Sequence, residues 1–205
     1  MIPIQIQKRF ANPGDLERNF MNYIDKANLV VSASKTIALQ CLYDCKSVNN
    51  FQSVDFFTGA FDPLRTNIEG DFVRPSSEHF LIYGIMASYA ESTSDADSAD
   101  GKFKWVKGFT SSQRFADTPA PPLQNAQVSI EVNSVRYLKF VPTTEFDGEL
   151  GTKMNGYMFL NTPILWPGQQ SLRLTLQTND QSILFPNVAG EQFVVRFDLF
   201  GIGLI

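Results

Sequence analysis

Strict alternation of apolar and polar side chains is the feature that most constrains the fold of this chain, and it is clearest in residues 192–205. The apolar set is Phe193, Val195, Phe197 and Leu199, and the charged residues between them are Arg196 and Asp198. Because successive side chains of a strand point to opposite faces, this pattern predicts a strand with one face on a core. Inside a sheet such a strand closes the protein's own core, whereas at an edge it favours contact with other copies.

The same alternation recurs upstream of this segment. In the clearest hairpin, a two-residue turn at Asn133-Ser134 follows one strand, and Val135 and Tyr137 are expected to return on the face of Val128, Ile130 and Val132. A later strand is expected to point Leu172, Leu174 and Leu176 inward. Turn residues separate most of these segments at the spacing typical of sandwiches. The chain is therefore predicted to be all-β, an antiparallel β-sandwich formed by a single jelly roll of about eight strands.

The N-terminal segment follows other patterns. Ile2, Ile4 and Ile6 alternate with proline and glutamine, which predicts an extended arm that joins a sheet or reaches a neighbouring molecule. From Asp15 to Ala27 the apolar residues recur at helical spacing behind a capping aspartate. We therefore divide the chain into an arm with a short amphipathic helix, residues 1–27, and a β-sandwich domain, residues 28–205.

Composition narrows the range of functions. The net charge of -4 and the pI near 5.0 argue against bulk nucleic-acid binding, which needs a large positive field. No apolar run reaches the roughly eighteen residues of a membrane-spanning helix. On one strand, Cys41 and Cys45 would lie roughly 13 Å apart by rise alone. That separation is too long for a disulfide, so both are predicted to be free thiols.

The sequence contains no catalytic motif. His79 is the only histidine, which excludes mechanisms that need a histidine pair or a metal site with several histidines. Glu145, Asp147 and Glu149 form a tight acidic group, but this group is typical of a turn. No neighbouring residue in the sequence would raise the pKa of one carboxyl, as a hydrolase acid requires. We predict a non-enzymatic protein with no cofactor.

One loop has the composition of a cation site. Asp95, Asp97 and Asp100 lie close together ahead of Gly101, and clustered carboxylates suit Ca²⁺. The spacing differs from that of an EF-hand, and a solvated acidic loop explains the same residues. Both interpretations stay open.

The two tryptophans mark candidate contact segments. Trp105 lies among three lysines and two phenylalanines in residues 102–109, a mixture that suits single-stranded nucleic acid or a membrane interface, but also an ordinary strand with lysines facing solvent. Trp166 ends the apolar run Tyr157–Trp166 before Pro167-Gly168. It can anchor a partner or fill the end of the sandwich.

The succession of the 128–137 hairpin, the Leu160–Pro167 stretch, the leucine strand and the closing Val194–Gly201 strand resembles the small single jelly-roll capsid and vertex proteins of bacteriophages. The resemblance implies a virion structural protein that assembles with its own copies and with other virion proteins, without catalytic residues. It implies contacts through edge strands, the arm and apolar loops. The interface candidates are Ile2, Ile4, Ile6, Trp105, Trp166, Phe193 and Phe197.

A carbohydrate- or receptor-binding β-sandwich is the alternative. Such a module needs aromatic rings exposed on a concave face, for which Tyr157, Trp105 and Trp166 are the candidates. Glycan binding or its absence distinguishes the two functions.

Overall fold

The computed structural model describes residues 13–31, 35–48, 53–60, 62–68, 72–92, 105–107, 126–146, 156–178 and 192–204. The candidate residues Ile2, Ile4, Ile6, Asp95, Asp97 and Asp100 lie outside these ranges. The first described element is helix α1 (Pro13–Lys26). The strands are β1 (Ile37–Ser47), β2 (Ser53–Phe56), β3 (Phe80–Ser92), β4 (Val106–Lys107), β5 (Ala126–Val132), β6 (Val135–Pro142), β7 (Tyr157–Trp166), β8 (Leu172–Thr178) and β9 (Gln192–Leu204), with a 3-10 helix at Thr143–Phe146.

The strands form two antiparallel sheets. Sheet A runs β1-β9-β3, and both β4 and β7 pair with the far side of β3. Sheet B runs β2-β8-β5-β6. In each sheet, strands distant in sequence are neighbours, so the sheets are assembled by long-range pairing. The predicted all-β antiparallel sandwich is the architecture of the described residues.

The space between the sheets is an apolar core. Val195, Phe197 and Leu199 of β9 are each 0% exposed and pack there, as their alternation predicted. Phe197 makes edge-to-face contacts with Phe56, at 4.8 Å between ring centroids, and with Phe146, at 6.1 Å. The inward leucines of β8 are also confirmed, since Leu172, Leu174 and Leu176 are at most 1% exposed.

Helix α1 covers a second apolar cluster on the outer face of sheet A. Phe20 and Ile24, one turn apart, pack with Leu81, Phe200 and Ile202. The helix ends where Asn28 takes a left-handed φ of 52° and the Leu29 N–H reaches back to the Ile24 carbonyl at 3.1 Å. The helix is therefore an integral layer of the fold.

Strand β7 contains a proline, since it continues through Pro163 to Trp166. The proline is tolerated because the register between β3 and β7 shifts between Ile82 and Gly84, which leaves part of β7 out of the ladder. Residues 29–31, which follow α1, have no regular structure.

Candidate functional site

Two predicted interface residues lie in the interior. Trp166 is 0% exposed, and its indole N–H donates to the Gln170 carbonyl at 2.7 Å. Phe197 is also 0% exposed, at the centre of the core. Neither side chain can contact another molecule in this fold, so both interface predictions are wrong. Of the two interpretations of Trp166, the structure supports the one in which it fills the sandwich.

The other predicted interface residues within the described ranges are Trp105 and Phe193. Trp105 is partly buried, with the Arg196 guanidinium carbon 6.0 Å from its ring centroid. Phe193 belongs to β9, but its side chain lies outside the described set. Strand β9 itself pairs with β1 on one side and β3 on the other. It is an interior strand, so the edge interpretation of residues 192–205 is wrong.

An exposed surface was missed in the sequence and lies on β6. This strand pairs with β5 and is the last strand of sheet B among the described residues. Val135 is 57% exposed, Tyr137 50% and Phe140 43%. We call these three residues, with Arg136 and Lys139, the β6 surface. The hairpin turn was predicted correctly, but Val135 and Tyr137 are exposed. The register shift between β5 and β6 falls at Tyr137, and β6 is the last strand of sheet B among the described residues.

The backbone of β6 is irregular where its aromatic residues lie. The register between β5 and β6 shifts twice, between Val128 and Ile130 and again before Glu131. Phe140 has a φ of 52°, an unfavourable conformation for a bulky residue. The Arg136 guanidinium carbon lies 5.5 Å and the Lys139 ammonium 5.9 Å from its ring centroid. The surface therefore combines exposed rings with two cations.

The edge strand β1 of sheet A differs from β6, because residues 65–67 cover part of its edge. The Cys45 N–H donates to the Arg65 carbonyl at 2.9 Å, and the Thr66 hydroxyl donates to the Tyr43 carbonyl at 2.7 Å. The Asn67 amide accepts from the Tyr43 N–H at 2.7 Å and donates to the Cys41 carbonyl at 2.8 Å. Residues 65–67 thus occupy the hydrogen-bonding groups that an added strand would need.

A cavity of about 390 Å³ lies beside this covered edge. Asp44 lines it and is 2% exposed, and its carboxylate accepts the Phe57 N–H at 2.7 Å. Burial raises the pKa of Asp44 to about 6, although the Phe57 hydrogen bond and the Lys46 charge act in the opposite direction. Lys46 donates to the Thr58 carbonyl at 2.6 Å and lies 4.0 Å from the carboxylate. Asp44 and Lys46 are thus both paired with neighbouring groups of the protein.

The outer face of sheet A holds a second polar group. Asp198, 1% exposed, accepts from the Arg196 Nε at 3.0 Å and from the Cys41 thiol at 3.6 Å. Burial, followed by the Asp198 charge, raises the pKa of Cys41 to about 12, and burial raises that of Cys45 to about 12. Both cysteines are free, as predicted. Such thiols stay protonated at neutral pH and are poor nucleophiles.

Tyr157 also belongs to this face. It is 2% exposed, and burial raises its pKa. Its hydroxyl has no hydrogen-bond partner among the described residues. It lies over Gly84, where a Cβ atom would come within 2.0 Å of the oxygen. Tyr157 therefore packs against the sheet and does not present its ring to a ligand.

No protein-family model and no curated sequence matches the chain. Within the described ranges, no helix is long and apolar enough to cross a membrane. The same part of the chain contains no group of three or more histidine, cysteine or acidic residues placed to hold a metal ion.

Proposed function

We propose that the chain is a non-enzymatic structural protein of a virus particle, a capsid or capsid-vertex component with a single jelly-roll fold. The strand order is the observation that carries the proposal. With the two-residue β4 left aside, β1-β9-β3-β7 faces β2-β8-β5-β6. First and last strands are thus neighbours in one sheet, and the second and next-to-last are neighbours in the other. This order supports the proposed jelly roll, a fold that viral capsid domains use.

The exposure of β6 supports assembly through sheet B. Single exposed apolar residues are ordinary, but Val135, Tyr137 and Phe140 lie on one short edge strand. The two register shifts and Pro142 disfavour simple strand addition to this edge. We therefore propose that contacts with other copies, or with other virion proteins, are made by the side chains of the β6 surface.

Self-association of the purified chain tests the proposal. Mass photometry and light scattering over a range of concentrations are expected to detect oligomers, and negative-stain microscopy to show discrete assemblies. The variant Tyr137→Ser/Phe140→Asn is expected to weaken assembly. Asparagine suits the positive φ at position 140, so the fold is preserved. Val30→Ser is the control, because Val30 is 81% exposed but distant in the chain from β6.

The outcomes separate the function from the surface. If Val30→Ser weakens assembly and the β6 variant does not, the proposed structural function would stand. The proposed role of the β6 surface would then be overturned. A chain that stays monomeric at every concentration, alone and with its companion proteins, would overturn the function itself.

A carbohydrate- or receptor-binding module is the second candidate. Lectin domains also use the jelly-roll order, and Tyr137 and Phe140 are exposed rings flanked by cations. Tyr157 and Trp166 are buried and do not contribute to such a site. Saturable binding to a glycan array that is lost in the Tyr137→Ser/Phe140→Asn variant would favour this candidate.

A further inference from the structure

The outer edge of β1 has a covered part and an open part. In the covered part, the Cys41 carbonyl and the Tyr43 N–H are both bonded to the Asn67 amide. Both residues are odd-numbered, and the ladder between β1 and β9 has no register shift. Because the backbone groups of an antiparallel strand face alternate sides, the N–H and carbonyl groups of Ile37 and Leu39 point to the same outer edge, with the Cys41 N–H.

These remaining groups form the open part. In the portion of the chain that the structure describes, β1 pairs with β9 and makes one isolated bridge, between Asp44 and Thr66, so nothing there bonds to the edge at residues 37–39. We call residues 37–41 the open edge of β1. The Ile37 and Leu39 side chains are partly buried against the apolar cluster under α1, which holds this backbone in its extended form. A preformed strand loses little conformational freedom when another strand pairs with it.

The composition of the open edge gives it no protection against pairing. Residues 37–41 are Ile-Ala-Leu-Gln-Cys, without a charged residue, a proline or a bulge. Those are the devices by which natural proteins prevent an edge strand from pairing. The adjoining part of the same edge is covered by residues 65–67. An edge that is covered in one half and bare in the other favours a strand partner for the bare half.

A second copy of the chain offers one edge that matches. Strands β2 and β4 have only 4 and 2 residues. Strand β6 has two register shifts and a φ of 52° at Phe140, and β7 contains Pro163 and loses its register with β3 between Ile82 and Gly84. Among the described edge strands, β1 alone combines this length with an unbroken register. The partner that fits the open edge is therefore the open edge of another copy.

We propose that two copies pair β1 against β1, antiparallel about a two-fold axis at Leu39. The Leu39 N–H and carbonyl then bond to those of Leu39 in the second copy, and the Cys41 N–H donates to the carbonyl of Ile37 in the second copy. Pairing ends there because Asn67 occupies the edge beyond Cys41. Sheet A becomes continuous through both copies. The inference does not rest on the proposed function, because the β6 surface belongs to sheet B.

Opposite charges at the two-fold axis test this pairing. Mass photometry and sedimentation are carried out in the Tyr137→Ser/Phe140→Asn background, which removes the β6 contact, and dimers are expected there. Leu39→Lys and Leu39→Glu each place like charges opposite one another and should weaken the dimer roughly tenfold or more. A mixture of the two should form a heterodimer, because opposite charges then meet. Leu165→Lys is the matched control, since Leu165 is also partly buried against the same cluster but lies on β7, and it should keep the dimer.

The possible results are decisive for the pairing and separate from the proposed function. A chain that is monomeric at every concentration in this background, or a mixture that stays monomeric, would overturn the pairing. So would equal weakening by Leu165→Lys, or a dimer that neither charge at position 39 affects, which would leave the edge to another occupant such as residues 1–12. None of these results bears on oligomers formed through the β6 surface.

A second measurement needs no substitution. Residue-resolved hydrogen exchange of the parent chain, above and below the concentration at which the dimer dissociates, should show the Leu39 and Cys41 amides roughly tenfold more protected in the dimer. The Tyr43 amide donates to Asn67 within one copy, so its protection should be the same at both concentrations. Exchange at Leu39 and Cys41 that does not change with concentration would contradict the pairing.

Discussion

Replacement of Asp44 by asparagine should change the pH dependence of stability in a defined direction. The carboxyl is almost fully buried, and its pKa is raised from 3.8 to about 6 by burial. A group that binds protons more tightly in the folded state stabilises the fold only where it is protonated. The contribution of Asp44 to stability should therefore decrease as pH rises from about 4 through about 6, and it is lost once the carboxyl is fully ionised above that value.

The size of the effect follows from the two pKa values. The difference between 3.8 and about 6 corresponds to roughly 3 kcal/mol over the full titration. About 2 kcal/mol of this lies between about pH 4.5 and pH 8, because the unfolded carboxyl is already mostly ionised at the lower value. Asparagine can still accept the Phe57 N–H, but it does not ionise.

The measurement is urea unfolding of both proteins at about pH 4.5 and pH 8. Relative to the parent chain, Asp44→Asn should gain about 2 kcal/mol on going to the higher pH, whatever constant cost the amide brings. Thr66→Val is the matched control, because it removes a hydroxyl from the same edge without changing a charge. It should destabilise by about 1 kcal/mol at both pH values. Parallel pH profiles for the parent chain and Asp44→Asn would refute the assignment.

Three further predictions follow from single contacts. Tyr157→Phe should be neutral or stabilise the fold by up to about 1 kcal/mol in urea unfolding, because it removes a buried hydroxyl that has no hydrogen-bond partner among the described residues. A destabilisation of about 1 kcal/mol or more would show that the hydroxyl has a partner. Asn67→Ala should lower the free energy of unfolding by about 1–2 kcal/mol, because it frees the Tyr43 N–H and the Cys41 carbonyl of edge strand β1. Self-association measured by light scattering should increase, and an unchanged association state would show that the edge stays covered. Cys41 and Cys45 should react with a thiol reagent at about pH 8 roughly a hundredfold more slowly in the folded chain than in urea, and equal rates would contradict the raised pKa values.

The faces of the strands could be predicted from the sequence, but their neighbours could not. Alternation placed Val195, Phe197 and Leu199 on the core correctly. It did not distinguish an interior strand from an edge strand, because both have one apolar face. The position of β9 between β1 and β3 depends on pairings across more than half of the chain. The same ambiguity explains why the exposed residues of β6 were not predicted. Val135 and Tyr137 have the sequence pattern of core residues but are exposed.

The buried polar groups were beyond sequence reasoning for a related reason. Asp44 meets the N–H of Phe57, and His79 meets Val30 and Gly168, so the partners come from other elements and are mostly backbone groups. Backbone groups have no sequence signature. Trp166 is an intermediate case. Its segment was recognised as distinctive, but its contacts with the Arg74 guanidinium, 5.8 Å from the ring centroid, and with the Gln170 carbonyl could not be predicted from the sequence.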